Sequence, residues 1–106
     1  KDMIIRGGQN VYPQQVENVI MRMDEVMECC VVGVEEERWG QEILAVVMPA
    51  ENASLTEEAV IEFCREHLAA YKCPRFVRIV DELPKTATGK IRKVEVAARF
   101  ADIAKG

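Results

Sequence analysis

The sequence contains little of what metal sites and hydrolytic active sites are built from. His67 is the only histidine, and the four cysteines include no pair spaced as Cys-x-x-Cys. The chain therefore shows no recognisable zinc site, and nothing in it resembles a catalytic set of serine or cysteine with histidine. Buried free thiols in a reducing compartment are the simplest account of the cysteines.

Long apolar runs are also missing. No segment approaches the about 18 consecutive apolar residues that a membrane-spanning helix needs. The first residues lack the basic and then apolar pattern of a signal peptide. We therefore expect a cytoplasmic protein with no membrane span. The length of 106 residues fits one domain, and an apolar content of 49% is sufficient for a core.

Charge is divided unevenly along the chain. Residues 17–66 carry 13 acidic and three basic side chains, whereas residues 71–93 carry seven basic and two acidic ones. The basic pole could meet the phosphates of a nucleotide, and the alternative is a solvated charged face. The overall net charge of −4 argues against general binding of nucleic acid.

Five short segments have the composition of strands. Two of them flank Gly7-Gly8 and predict an N-terminal hairpin whose tight turn uses the freedom of glycine at positive φ. The other three predict a small sheet. The five segments are residues 3–5, 11–12, 29–34, 43–48 and 76–80.

Three further segments predict helices, each with one apolar face. Pro13 suits the first position of the first helix. Ser54 and Glu57 fit a capping box that opens a second helix over about residues 56–68. The apolar positions are Val16, Val19, Ile20 and Met23 in the first helix, Ile61, Cys64 and Leu68 in the second, and Val94, Ala98 and Ala101 in the last. We therefore predict an α+β fold with a three-stranded sheet covered by two or three helices, plus an N-terminal two-stranded hairpin.

A polar loop over residues 83–90 carries a lysine at its end. Its sequence is Leu-Pro-Lys-Thr-Ala-Thr-Gly-Lys, and a helical pattern follows it. Pro84 ends the preceding strand, and Gly89 tolerates backbone angles that a side chain disfavours. We predict a flexible loop that carries Lys90 out of its own domain. Taken alone, the loop also fits a solvated connection into a basic helix.

Four segments follow one another in an order that is informative. They are R-G-G-Q-N-V-Y-P-Q-Q-V-E at residues 6–17, W-G-Q at 39–41, Y-K-C-P at 71–74 and the lysine loop at 83–90. Together they resemble the C-terminal domain of the acyl-adenylate-forming enzymes, the acyl-CoA synthetase superfamily. The resemblance covers essentially the whole chain. It implies that residues 1–106 are the C-terminal lid domain, that the large N-terminal domain is absent from them, and that Lys1 stands at the interdomain hinge.

The resemblance implies a fragment of an AMP-forming carboxylic acid–CoA ligase that is inactive alone. Such enzymes join a carboxylate to the α-phosphate of ATP and then pass the acyl group to coenzyme A, with magnesium bound mainly by the large domain. By resemblance, Lys90 stabilises the negative charge that develops during adenylation. The small domain then swings, and Gly7 and Gly8 line the tunnel for the narrow arm of coenzyme A.

Trp39, Tyr71, Lys72 and Arg75 are further candidates for binding coenzyme A by the same resemblance. An aromatic face beside cations suits an adenine ring and its phosphates. The alternative for Trp39 is a cap over the core, and the role of Lys72 is equally open. Cys73 departs from relatives that carry a basic residue in that place.

Two rival functions stay open. One is the adenylation domain of a nonribosomal peptide synthetase, which acts with a carrier protein, and the other is a non-catalytic interaction module. The G-G-Q-N form of the glycine loop favours the coenzyme A ligases. The expected partners are thus the chain's own N-terminal domain, a carboxylic acid, ATP and coenzyme A.

Overall fold

The computed structural model describes residues 2–105. Its strands form two sheets. Strands β1 (Ile4–Arg6) and β2 (Gln9–Val11) make an antiparallel hairpin. Strands β3 (Val26–Glu36), β4 (Gly40–Pro49) and β5 (Phe76–Ile79) form a sheet in which β4 is central. β4 pairs with β3 antiparallel and with β5 parallel. The predicted hairpin and three-stranded sheet are confirmed.

Three helices complete the α+β fold that the sequence predicts. They are α1 (Pro13–Ile20), α2 (Glu57–His67) and α3 (Lys93–Arg99). Short 3-10 turns at Ala70–Lys72 and Ile103–Lys105 connect or end the elements. Pro13 opens α1 as predicted, which is consistent with its fixed φ.

Strands β3 and β4 are longer than their apolar runs, with 11 and 10 residues. Some of the additional residues lie at the far end of the pair, where Val26 pairs with Pro49, and the others are polar or glycine and lie near the turn between the two strands, where Glu36 pairs with Gly40. Backbone hydrogen bonds continue the ladder there although no apolar side chain is buried. The apolar pattern therefore located the two strands but underestimated their length.

The opening of α2 differs from the predicted capping box. Thr56 is the N-cap residue, and its hydroxyl accepts a hydrogen bond from the backbone N–H of Ala59 at 3.1 Å. Ser54 as the cap is therefore wrong. Leu55 packs against the same core cluster as Val60, the arrangement of a hydrophobic staple that fixes the helix start one residue after Leu55.

Successive residues of a strand point to opposite faces of a sheet. Both faces of the three-stranded sheet are covered by other elements, so both carry buried side chains. On the hairpin face, Val31 and Ala45 pack with α1, α2 and the β1–β2 hairpin. On the α3 face, Cys30 and Leu44 pack with α3 and with Leu83, the first residue of the lysine loop. The two candidate loops thus attach to opposite faces of one sheet.

Glu17 in α1 connects these two layers around the edge strand β3. Its Oε2 accepts the backbone N–H of Val31 at 2.9 Å and the ammonium of Lys93 at 2.7 Å. Burial lowers the pKa of Lys93, but the hydrogen bond and the charge of Glu17 outweigh burial and leave that pKa raised. Asp2 lies 3.5 Å from the same ammonium. Helices α1 and α3 are therefore linked around this edge of the sheet.

Candidate functional site

The turn of the β1–β2 hairpin is wedged against Trp39. Gly7 and Gly8 have φ angles of 57° and 83°, the left-handed region predicted for them. The N–H of Gly7 donates to the carbonyl of Trp39 at 2.9 Å. A Cβ at Gly7 would stand 2.8 Å from the Trp39 ring, whereas a Cβ at Gly8 would meet nothing within 4 Å. Gly7 therefore permits a close contact, and Gly8 leaves the outer side of the turn open.

Trp39 and Arg75 line one surface cleft with the acidic turn between β3 and β4. The indole remains 38% exposed, so Trp39 is not simply a cap over the core. The guanidinium of Arg6 lies 5.1 Å from the centre of the indole ring, within the range of a cation–π contact. The structure thus brings Gly7, Trp39 and Arg75 to one end of the sheet.

Tyr71 and Lys72 lie beside this end, in the 3-10 turn that contacts β2. The Lys72 ammonium donates to the side chain of Gln15 at 3.1 Å and lies 5.6 Å from the centre of the Tyr71 ring. Tyr71 packs partly against the core of the hairpin face. Both residues therefore make structural contacts, and neither lines the cleft of Trp39 and Arg75.

Hydrogen bonds within the lysine loop close it into a turn, and its predicted flexibility stays a prediction. Lys85 and Ile91 form an antiparallel bridge. Inside it, the N–H of Thr86 donates to the Lys90 carbonyl at 2.7 Å, and the Thr86 hydroxyl accepts the N–H of Lys90 at 3.1 Å. Gly89 completes the turn with a φ of 89°. The threonine thus supplies bonds that define the backbone around Lys90.

Lys90 differs from the other lysines of residues 2–105 because no side chain or backbone group there pairs with its ammonium. The others each have a partner within 4 Å; they are Lys72, Lys85, Lys93 and Lys105. The turn therefore presents an exposed and unengaged positive charge.

Lys85 anchors the loop to the start of β3. Its ammonium lies 2.5 Å from Oε2 of Glu28, while Oε1 of Glu28 is buried without a hydrogen-bond partner. No local pattern indicates this pair, because 57 positions separate the two residues.

The glycine turn and the lysine loop lie at opposite ends of β3. Glu28, which holds the loop, stands near the beginning of the strand, and Trp39, which holds the turn, follows its end. The eight steps from Glu28 to Glu36 correspond to about 26 Å of extended chain. The two elements are thus separated along the sheet as well as across it.

The buried thiols are poor nucleophiles. Burial, followed by the charge of Glu17, raises the pKa of Cys29 to about 12. Burial likewise raises the pKa of Cys64 to about 12 and, against the charge of Lys93, that of Cys30 to about 11. At neutral pH these cysteines are protonated packing residues.

Residues 15–90 match the model of a protein family described as the AMP-binding enzyme C-terminal domain. The chain belongs to this family. The match includes Trp39, Tyr71, Arg75 and Lys90 but begins after the glycine turn. The resemblance stated from the sequence is therefore confirmed at the level of the family.

Relatives of this AMP-binding C-terminal domain are coenzyme A ligases. A feruloyl-CoA synthase of Amycolatopsis is 45% identical over 94% of the chain, which covers 20% of that protein. The long-chain-fatty-acid–CoA ligase FadD13 of Mycobacterium tuberculosis is 40% identical over 95% of the chain, again 20% of the relative. The chain thus spans about a fifth of the length of the curated relatives it matches.

Solved structures share the same fold. ATP-bound MatB from Rhodopseudomonas palustris superposes with a TM-score of 0.93 and 36% identity, over 98% of this chain and 21% of MatB.

The domain's predicted hinge residue, Lys1, lies outside the described residues. No helix within residues 2–105 has the length and apolar content to cross a membrane.

Sequence reasoning missed the acidic partners of the AMP-binding C-terminal domain's two loops. Glu28 and Glu42 were not singled out, although each pairs with a basic residue in or beside one loop. Only the placement of a carboxylate in an otherwise apolar strand could have indicated Glu42, which directly precedes the buried run from Ile43. Its ion pair with Arg6 is the closest in this part of the molecule, at 2.6 Å.

Proposed function

We propose that this domain serves an ATP-dependent acyl-CoA synthetase, which couples a carboxylic acid to coenzyme A through an acyl-AMP intermediate. The names of the relatives, feruloyl-CoA synthase and FadD13 among them, support this reaction. Because the chain spans about a fifth of those proteins, a larger N-terminal domain would hold magnesium, ATP and the acid. The domain would be inactive by itself.

Lys90 supplies the positive charge for adenylation. Attack of the carboxylate on the α-phosphate spreads negative charge over the reacting oxygens, and an ammonium close to them lowers the barrier without exchanging a proton. The exposed position of Lys90 and its lack of a partner within residues 2–105 support this role. An ammonium already held by a carboxylate would be less available to the reacting group.

The opposite end of the sheet receives coenzyme A. Gly7 and Gly8 offer a bare backbone past which a narrow pantetheine arm can run. Trp39 offers an exposed aromatic face for the adenine ring, and Arg75 offers a cation for the phosphates in the same cleft. Tyr71 and Lys72 would extend this surface from the neighbouring turn.

The separation of the two loops is the observation that carries the proposal. A loop at one end of β3 and a turn beyond the other end cannot both face one reaction centre at the same time. A rotation of the whole rigid domain would present them in succession, first for adenylation and then for transfer to the thiol. The Glu17–Lys93 connection keeps the layers together during such a rotation.

Replacement of Lys90 tests this function in the polypeptide that carries both domains. For Lys90→Ala we expect acyl-dependent pyrophosphate exchange to fall by about 10² to 10³. Formation of the thioester from a supplied acyl adenylate should be retained. Lys105→Ala is the matched control, since Lys105 is an exposed lysine paired with Asp102. Normal exchange in Lys90→Ala would contradict the role.

A second candidate acceptor is an amine. The amide bond synthetase McbA from Marinactinospora thermotolerans superposes on 94% of the chain with a TM-score of 0.89 and 35% identity. Product analysis with coenzyme A, a carrier protein or an amine as the only acceptor separates a coenzyme A ligase from a nonribosomal adenylation domain and from an amide synthetase. Failure of pyrophosphate exchange with a broad panel of carboxylic acids would instead favour a non-catalytic module.

A further inference from the structure

We propose that Arg6 and Glu42 are positioning residues for the acyl-transfer step, because their ion pair fixes the glycine turn and Trp39 as one unit. The inference rests on the proposed function for the reaction that uses this unit. Neither residue needs to touch the substrate. Each acts through the backbone of Gly7 and the ring of Trp39.

Glu42 is the only charged residue of the described chain that is fully buried. Its Oε1 accepts the Nε–H of Arg6 at 2.6 Å and the N–H of Ile43 at 3.1 Å. Its Oε2 is buried with no hydrogen-bond partner among residues 2–105. A buried carboxylate that is only half satisfied is costly, and an apolar pair would stabilise the fold as well or better. Stability alone therefore does not account for this pair.

Arg6 joins three parts of the coenzyme A end. It directly precedes Gly7, its Nε binds Glu42, and its guanidinium lies over the Trp39 ring. Trp39 in turn accepts the N–H of Gly7 through its carbonyl. A displaced guanidinium would thus release both the turn and the aromatic face.

The hairpin does not belong to the larger sheet; its buried Ile4 and Val11 attach it to the core, and side-chain links to β4 add to this attachment near the turn. β1 and β2 form a separate two-stranded sheet, which is marginally stable without further contacts. The N–H of Ile5 donates to the side chain of Gln41 at 2.8 Å, and Arg6 reaches Glu42, the next residue of β4. Of these two neighbours on β4, Glu42 is the one that binds the residue directly before Gly7.

The test compares Arg6→Met with the double variant Arg6→Met/Glu42→Leu in the polypeptide that carries both domains. Arg6→Met should lower Tm, since it leaves a buried carboxylate unpaired, and the apolar double variant should recover Tm. Thioester formation from a supplied acyl adenylate should fall by about tenfold or more in both variants, with a raised KM for coenzyme A. Pyrophosphate exchange should be unchanged.

Arg78→Met is the matched control, because Arg78 belongs to an exposed ion pair with Glu57 at 3.5 Å, on β5. It should leave both half-reactions unchanged. Arg6→Lys gives a second measurement if the double variant folds poorly. Lysine keeps the charge but lacks the planar guanidinium group, which binds Glu42 and stacks on Trp39 at the same time. The KM for coenzyme A should therefore still rise.

The outcomes distinguish a failure of this inference from a failure of the proposed function. Recovery of thioester formation together with Tm in the double variant would show a purely structural pair and overturn the inference alone. A wild-type KM in Arg6→Lys with normal Tm would do the same. Absence of thioester formation in the wild-type enzyme, with acyl adenylate made, would overturn the proposed function and this inference with it.

Discussion

The glycine turn and the lysine loop are built in different ways. The turn rests on an indole ring, with no space beneath Gly7, and is held by a carboxylate that is fully buried. The lysine loop is held by its own hydrogen bonds and by a partly exposed ion pair, and open space surrounds Gly89. The turn is therefore suited to form a fixed wall, and the loop is suited to present one charge beyond the domain surface.

The largest effect that separates the two regions is expected from Gly7→Ala. The new methyl group would meet the Trp39 ring at 2.8 Å in a left-handed backbone, so the turn must move. A shift of this size at a reacting site can cost about 10²-fold, and we expect that loss in thioester formation with pyrophosphate exchange retained.

Gly8→Ala is the matched control for that change. It has the same kind of positive φ but no neighbour within 4 Å, so only the backbone cost of about 1 to 2 kcal/mol applies. Thermal unfolding of both variants should show the greater loss for Gly7→Ala. Equal losses of stability in the two variants would show that contact with Trp39 has no importance for the turn.

A smaller effect is expected from Lys85→Met, which breaks the anchor of the lysine loop. The pair with Glu28 is partly exposed, so its contribution to stability is about 0 to 1 kcal/mol. The loop keeps its internal bonds, and pyrophosphate exchange should fall by no more than about fivefold, the factor that corresponds to about 1 kcal/mol. A loss as large as that of Lys90→Ala would mean that Lys85 itself acts in adenylation.

The smallest effect is expected from ionisation of the buried thiols. It leaves stability unchanged at neutral pH and lowers it measurably at alkaline pH. The folded-state pKa of Cys64 is raised from 9.0 to about 12 by burial, so the folded protein keeps a proton that the unfolded chain loses. Stability is full below pH 9 and declines above it, by about 1.4 kcal/mol per pH unit for this thiol.

Urea unfolding between pH 7 and 11 checks this decline on the hairpin face. Cys64→Ala should lose stability at pH 7 through its cavity but show a shallower alkaline slope. Cys30→Ala, on the α3 face, removes a thiol whose pKa is about 11 and should flatten the slope less at the highest pH. Identical slopes in wild type and both variants would contradict the burial of these thiols.

Local patterns predicted the type and order of the elements, but the predicted apolar face of α3 is wrong, since Val94 is 87% exposed and Val96 is buried. Apolar runs located β3 and β4, and Pro13 marked the start of α1. The start of α2 was misplaced because Ser54 and Thr56 carry similar capping chemistry, and only the burial of Leu55 decides between them. Such a choice depends on tertiary packing.

Partners that are distant in sequence could not be predicted from it. Glu42 and Glu28 meet Arg6 and Lys85 across 36 and 57 positions. No local spacing encodes such pairs, since they exist only after the sheet has formed. The bridge between Lys85 and Ile91 is local, but the loop's turn and threonine residues do not by themselves specify it.

The most direct test of the account measures both half-reactions in Lys90→Ala and Gly7→Ala of the polypeptide that carries both domains. We expect a crossed result, in which Lys90→Ala loses pyrophosphate exchange and keeps thioester formation from acyl adenylate, while Gly7→Ala does the reverse. Loss of the same half-reaction in both variants would contradict the claim that opposite ends of one sheet serve successive steps.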